Sequence, residues 1–397
     1  MSRHFLEGYP DLFKGPLFIA CVLLFNAFAW YFMTISILGD LFKDSIYSQN
    51  IVSAVYHTAV IGSSIVGAIL SSRIKRLHLL YFWMGLGTCV SFLPVLFAEM
   101  TMTHTLNIYF LWGISFGLGM PSCLAYFSDS TLVENRGHVS GVLLLFILIS
   151  FGIFGLITDF VILTVWRGLG LILFILLRPK KIIAPEITKE IPFKSIVGDR
   201  SFFLYFIPWL IFCFIDRFEE PILKPFLGPF PDFLRGMLLI VGSLAAAIGG
   251  VFSDWVGRKR VILYGFVTLG LAYAIIGIAP AELVSWYFYI SVVSVASGIF
   301  WVIFIFVLWG DLSQYGVREK YYAIGSIPFF LTGIIESFSA PYIMLISPFS
   351  AFSLASFFLF LAVLPLLYAP ETLPEKKIKL RQFRKYVEKA KKIREKH

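Results

Sequence analysis

Charge is what this sequence has least of. Only 14% of its 397 residues are Asp, Glu, Lys or Arg, where a water-soluble domain carries nearer a quarter. A chain so poor in charge cannot cover a globular surface with polar groups, which excludes an ordinary soluble domain. Histidine (6) and cysteine (4) are scarce too. The histidines are scattered without metal-ligand spacing. Cys21, Cys89, Cys123 and Cys213 all fall inside apolar runs, where a free thiol behaves as a small hydrophobe. Neither a metal centre nor a disulfide framework is expected. There is no Gly-x-x-x-x-Gly-Lys-Ser/Thr loop, so the chain carries no phosphate cradle for ATP-driven work of its own. No nucleophile stands with a base in a recognisable pattern, so no enzyme and no cofactor are expected. No cleavable leader is visible either: the apolar run after residue 16 has the length of a full membrane crossing.

What is present is apolar. Hydrophobic residues make up 58% of the chain and 43 residues are Phe. Runs of about 18 or more apolar residues are long enough to cross a bilayer. They fall at 17–38, 50–70, 77–97, 106–127, 139–158, 160–178, 201–223, 234–253, 261–279, 284–309, 321–345 and 349–369. The stretch 138–177 is nearly unbroken and contains only Asp159 and Arg167 as charges. Its length requires two crossings, which leaves Arg167 inside a span unless the turn lies later. Loop charge supports the division, because Lys and Arg collect on the cytoplasmic side. With twelve spans and both ends inside, 28 of the 33 Lys+Arg residues are cytoplasmic; Lys43, Arg167, Arg217, Lys224 and Arg235 are the exceptions. The pI near 9.2 therefore reflects topology, and no nucleic-acid partner is expected.

The chain repeats itself. A shift of 183 pairs Gly67 with Gly250, Leu80 with Leu263, Tyr81 with Tyr264 and Gly87 with Gly270; a shift of 182 pairs Asp129 with Asp311 and Arg136 with Arg318. Each pair occupies the same place in its six-span half, and six is even, so the halves are parallel. The expected fold is an all-α membrane protein with twelve transmembrane helices in two parallel-repeat six-helix bundles. Residues 1–178 form the first, 179–200 a cytoplasmic linker with room for a short surface helix, 201–370 the second and 371–397 a basic tail. The tail holds 11 Lys+Arg, with Leu380, Phe383, Val387, Ala390 and Ile393 at helical spacing. An amphipathic helix on anionic lipid of the inner leaflet is one expectation; a solvated, orientation-setting tail is the other.

The bend 249–265 concentrates charge in an otherwise apolar region. Gly250-Val-Phe-Ser-Asp254-Trp-Val-Gly257-Arg258-Lys259 resembles the loop signature of the major facilitator superfamily of secondary transporters, Gly-x-x-x-Asp-basic-x-Gly-basic-basic, found between helices two and three and between eight and nine. Trp255 departs from it. The first-half copy is degraded: Ser71 stands for the Asp and Ile74 for the second Gly, with only Lys75 and Arg76 kept. Glu134-Asn-Arg136-Gly137 and Ala369-Pro-Glu-Thr-Leu-Pro374 also match the family. Gly257 is expected to relieve strain at the bend, and Arg258, Lys259 and Arg260 to hold it on the cytoplasmic side. Asp254 needs a different reason. A helix N-terminus attracts an anion, and the resemblance implies that the loop of one half meets the fifth helix of the other. Asp254 is therefore expected near Arg136–Ser140, as a latch. Ser71 offers no charge, so a single latch is expected.

Small residues are enriched in spans two and eight, including Ser63, Ser64 and Gly67, and Ala246, Gly249 and Gly250. Close packing is expected there, and the resemblance implies gate helices. Polar residues inside spans are the substrate or proton candidates, because burying them costs energy. They are Asn26, His57, Asp216, Trp301 with the line Ser291, Ser294, Ser297, and Glu336, a carboxylate able to alternate between protonated and charged forms. The family resemblance implies a monomeric permease working by alternating access in the cell membrane, with protons as the candidate coupling ion. The fifth span lacks the proline of the drug-antiporter signature, which favours a sugar or organic acid as solute. Drug or metabolite efflux, and a non-transporting sensor of the same fold, are the alternatives.

Overall fold

The structure is a computed structural model that describes residues 15–42, 45–97, 99–154, 159–177, 192–227, 231–280, 282–313, 317–343 and 345–373. It is all helical among these residues, and twelve helices are long and apolar enough to cross a membrane. In the first half they are α1 (Pro16–Leu41), α2 (Ile46–Arg73), α3 (Arg76–Phe92), α4 (Met102–Ser130), α5 (Arg136–Phe154) and α6 (Phe160–Leu177). In the second they are α7 (Arg200–Leu227), α8 (Pro231–Val256), α9 (Arg258–Ile278), α10 (Leu283–Leu312), α11 (Arg318–Gly325 continued by Ile327–Ile343) and α12 (Pro348–Tyr368).

Local sequence sets the boundaries. Pro16 and Pro348 sit in the first turns of α1 and α12, where a missing N–H removes no helical hydrogen bond. Thr101 caps α4 by accepting from the His104 N–H at 3.2 Å, and Ser347 caps α12 in the same way. Between α8 and α9 a single residue makes the turn. Gly257 has φ +112°, a conformation that side chains disfavour.

The long stretch 138–177 does form two helices. Arg167 lies well inside α6 and is fully buried, so it belongs to no loop. The linker residues seen include the short helix Phe193–Val197, with Ile196 buried against the bundle. Nearly all of the basic tail, beyond residue 373, lies outside the described residues.

The first half packs α2 on α4, α3 on α4 and α6, and α1 on α4, α5 and α6; the second packs α8 on α10, α9 on α10 and α12, and α7 on α11 and α12. The halves meet chiefly where α5 crosses α8 and α2 crosses α11, with further contacts of α4 on α11 and of α5 on α10. The first is a backbone contact. A Cβ added at Gly250 would collide with the carbonyl oxygen of Gly137, and one at Gly141 would lie 2.5 Å from that of Ala246. The small residues of span eight are thus used against the other half. In span four, a Cβ at Gly113 would lie 2.5 Å from the Tyr56 carbonyl, and one at Gly117 would collide with α2. That is close packing within one half.

Candidate functional site

Helix α11 orders the site from one end to the other. Arg318 and Glu319 open it at the face carrying the 2–3 and 8–9 loops. Tyr322, Phe329 and Phe330 line a cavity between the halves, and Glu336 comes last. From Arg318 to Glu336 the helix rises about 27 Å at 1.5 Å per residue, most of the roughly 30 Å hydrocarbon core.

At the loop face, four guanidinium groups meet four carboxylates. Arg136 of α5 pairs with Asp311 of α10, and Arg318 of α11 pairs with Asp129 of α4. Both pairs join opposite halves, and the repeat superposes one on the other. Arg258 pairs with Asp254 at 2.5 Å and with Asp311 at 3.3 Å. Arg76 reaches Asp129 at 2.5 Å and Glu319 of the other half at 2.5 Å.

Asp254 sits where the latch expectation places it. It accepts from the backbone N–H groups of Gly137 at 3.0 Å and His138 at 2.7 Å. These are unpaired donors of the first turn of α5, where the helix dipole also favours an anion. The expectation of a single latch is overturned. The 2–3 loop lacks the Asp but uses Arg76, which donates through Nε (2.8 Å) and Nη2 (2.5 Å) to Glu319 in the first turn of α11. The contact is rebuilt with a cation because the partner helix supplies the anion.

Glu371 was not foreseen. Its carboxylate accepts the N–H of Arg258 at 2.8 Å and of Lys259 at 3.2 Å, and so caps α9. It also fills the space above Gly257, where a Cβ would collide with it. Both motifs were visible in the sequence; their contact was not.

The cavity draws on α1, α4, α5, α7, α10 and α11. Twelve of its eighteen lining residues are aromatic. Trp301 is one of them and begins a π-helical segment, Trp301–Val307. Its wider turn brings the consecutive Phe304, Ile305 and Phe306 to the wall. The serines on the same span are elsewhere. Ser291 is exposed, Ser294 is buried with its hydroxyl donating to the Ile290 carbonyl at 2.8 Å, and Ser297 is buried.

Beyond the cavity lies a polar end. Arg217 of α7 approaches Glu336 at 3.9 Å, with side chains 29% and 24% exposed, and its guanidinium lies over the Phe329 ring. Glu336 is thus part of an inter-helix pair and does not line the cavity wall. Asp216 is partly buried beside Arg217 on α7. His57 is buried behind Phe330, with Ser53 Oγ 3.3 Å from Nδ1. Asn26 is spent on α6: its Nδ2 donates to the Trp166 carbonyl at 2.8 Å, and its Oδ1 accepts from Arg167 at 3.0 Å. Arg167 is sandwiched between Trp83 and Trp30, 4.5 and 5.5 Å from their ring centres. Neither Asn26 nor Arg167 lines the cavity. The sequence marked Arg217 and Arg167 as exceptions to the charge rule, and Arg167 as a charge inside a span, but gave neither a partner. Glu219, buried and accepting from the hydroxyls of Tyr273 and Tyr289, carried no signal beyond its place in the segment Asp216-Arg217-Phe-Glu219-Glu220 at the end of span seven.

Residues 2–156 match the sequence model of the Major Facilitator Superfamily. No curated protein matches by sequence. Among solved structures, the chain is similar to a point variant of the E. coli fucose:proton symporter FucP, with a TM-score of 0.72 at 10% identity over 90% of this chain and 98% of that one. A bacterial homologue of the iron transporter ferroportin, in an outward-facing state, gives 0.70 at 12% over 89% and 98%. The proton:xylose symporter XylE, bound to 6-bromo-6-deoxy-D-glucose, gives 0.66 at 14% over 90% and 96%. With the family's sequence model on its first half and the family's fold over nearly its whole length, the chain is a multi-pass membrane protein of the major facilitator fold.

Proposed function

We propose that the chain is a secondary active transporter that moves a small organic solute through the central cavity by alternating access. The observation that carries this reading is the reciprocal exchange at the loop face, Arg136 with Asp311 and Arg318 with Asp129. Each half lends the other a cation and an anion at one end of a cavity that both halves line. Such contacts hold one end shut, and separating them opens it. Gly250, Asp254, Gly257, Arg258, Lys259 and Arg136 are the gate residues in this proposal. Arg217, Glu336, His57 and Asp216 form the opposite, polar end, and protons are the proposed coupling ion there. Two solved neighbours are proton symporters by name, which supports that assignment by analogy of fold alone.

The proposal has the gate face and both ends of the chain in the cytoplasm, which the basic loops support, with the tail on anionic lipid, in the cell membrane and as a monomer. Residues 1–178 and 201–370 are the two rocking bodies. The wall carries no charged residue, which weighs against an organic acid as the solute.

The test is flux. Protein reconstituted in vesicles is expected to accumulate solute only under an ion gradient and to exchange labelled for unlabelled solute without one. Binding with neither flux nor exchange would identify the non-transporting sensor instead.

A further inference from the structure

The wall of the central cavity specifies a narrower chemistry than "small organic solute". Among its eighteen residues there is no Asp, Glu, Lys, Arg, His, Asn or Gln. Several of its polar atoms are committed to the protein. The Tyr322 hydroxyl donates to the Phe306 carbonyl at 2.6 Å, the Trp209 indole N–H to the Gly325 carbonyl at 3.0 Å, and the Ser326 hydroxyl to the Ala323 carbonyl at 3.0 Å. The Tyr31 hydroxyl and the indole N–H groups of Trp301 and Trp309 make no hydrogen bond among the described residues, and all three residues line the cavity. What the wall offers is therefore aromatic faces and edges with a few donors.

Each common solute class can be tried against this. A sugar carries several hydroxyl groups, each of which needs partners once water is excluded, and the wall has too few. An organic anion needs a cation in reach. Arg217 lies over the Phe329 ring and is engaged with Glu336, and Arg167 is held between Trp30 and Trp83 outside the lining. An organic cation would gain from aromatic faces. Yet the wall holds no carboxylate, and the Phe329 ring already carries a guanidinium of like charge.

We infer that the cavity takes an uncharged, ring-bearing solute with one or two hydrogen-bond acceptor atoms. Its ring packs on the aromatic wall, where offset and edge-to-face contacts are favoured, and its acceptors meet Tyr31, Trp301 or Trp309. This departs from the sugar or organic acid expected from the sequence. It rests on the transport reading only for the cavity being the solute's route, because binding alone is enough to test it.

The experiment uses the full chain in nanodiscs and a matched series read by ligand-observed NMR: acetophenone, ethylbenzene, benzoate, phenyltrimethylammonium, D-xylose and L-fucose. Acetophenone is expected to bind several-fold tighter than ethylbenzene and at least tenfold tighter than either ion, with neither sugar bound. Leu124→Trp, which fills the cavity, is expected to abolish binding of acetophenone and ethylbenzene alike. Tyr31→Phe, Trp301→Phe and Trp309→Phe test the donors: at least one should bring acetophenone to the level of ethylbenzene and leave ethylbenzene unchanged. Binding of a sugar or of either ion as tight as that of acetophenone would overturn the inference, as would no binding by any member. Ring binding without flux of any solute would sink the transport reading and leave the inference standing; xylose flux without ring binding would do the reverse.

Discussion

The 2–3 loop and the 8–9 loop occupy equivalent places in the repeat but tie the two halves together by opposite chemistry. The second-half loop sends an anion, Asp254, to bare N–H groups at the start of α5. The first-half loop sends a cation, Arg76, to a carboxylate in the first turn of α11. Both loops reach the other half, but from different positions: Ser71 stands where Asp254 does, and Arg76, which aligns with Lys259, makes the first-half contact with the opposite charge. Burial separates the two copies as well. Arg136, Arg258 and Asp311 are at most 1% exposed, whereas Arg76 and Arg318 are 18% and 14% exposed. The arginines on the 8–9 side of the cluster are dry and those on the 2–3 side partly wet, while Asp129 and Asp311 are both fully buried. Water screens charge, so equivalent substitutions on the two sides should have unequal effects.

The sharpest way to break the comparison is to remove the central carboxylate on each side. Asp311→Asn leaves Arg136 and Arg258 buried without their shared anion, and one lost partner of a buried pair costs about 3–5 kcal/mol. The twin Asp129→Asn leaves Arg76 and Arg318 in contact with water and should cost clearly less. Thermal unfolding and labelling of single cysteines at the loop face would report both. Equal effects from the two variants would refute the division into dry and wet sides.

Next in size is Asp254→Asn. The amide keeps the shape, loses the charge and turns one acceptor into a donor facing the N–H of Gly137 or His138. Hydrogen bonds to charged groups contribute about 1.5–3 kcal/mol, which is roughly a tenfold to hundredfold shift toward the state open at the loop face. Cysteine labelling at the mouth should rise accordingly. Labelling rates equal to those of the parent would remove Asp254 from the gate.

Much of this architecture was legible in the sequence because hydropathy and repetition are properties of a line. Twelve spans followed from apolar length, and the shifts of 183 and 182 found the residues that matter on both sides. The same method failed where an answer depends on the direction around a helix. The 18% aromatic content is spread over faces turned to lipid, to packing and to the cavity, so Phe116 of the cavity wall and Phe146 of the outer surface look alike along the chain. The π-helical turn at Trp301 has no sequence mark. Asn26 and Glu336 were chosen for being polar in apolar surroundings, a criterion that cannot tell a solute contact from a bond between helices. Repetition showed Asp129 and Asp311 as equivalents but not that each pairs with the other half's arginine. The absence of Asp at Ser71 was legible, but Arg76 taking over through Glu319 required the fold.

Gly257→Ala tests how far the 8–9 side depends on its backbone. The positive φ would strain an alanine by about 2 kcal/mol, and the new Cβ would displace Glu371 from the N-terminus of α9. A lower unfolding temperature is expected, with a smaller change in labelling than for Asp254→Asn because the hairpin lies within one half. The 2–3 copy has Ile74 at φ −114° in the matching turn, so Ile74→Gly should bring no compensating gain. A stabilised Ile74→Gly would show that the two turns obey one rule.

The smallest effect is expected at Arg76, and its salt dependence makes it informative. Arg76→Gln removes one cation from a partly exposed cluster in which Arg318 still pairs with Asp129, so a loss of about 1 kcal/mol or less is expected. Screening should erase most of that difference: the Debye length falls from about 30 Å at 0.01 M salt to about 3 Å at 1 M. Labelling at the loop face should therefore differ between Arg76→Gln and parent at low salt and converge at high salt. The Asp254→Asn difference should persist at both, because its partners, two backbone N–H groups and the Arg258 guanidinium, are buried from solvent. A loss at Arg76 that survives high salt would mean that the 2–3 side is as dry as the 8–9 side, and the contrast between the two loops would then reduce to the sign of their charge.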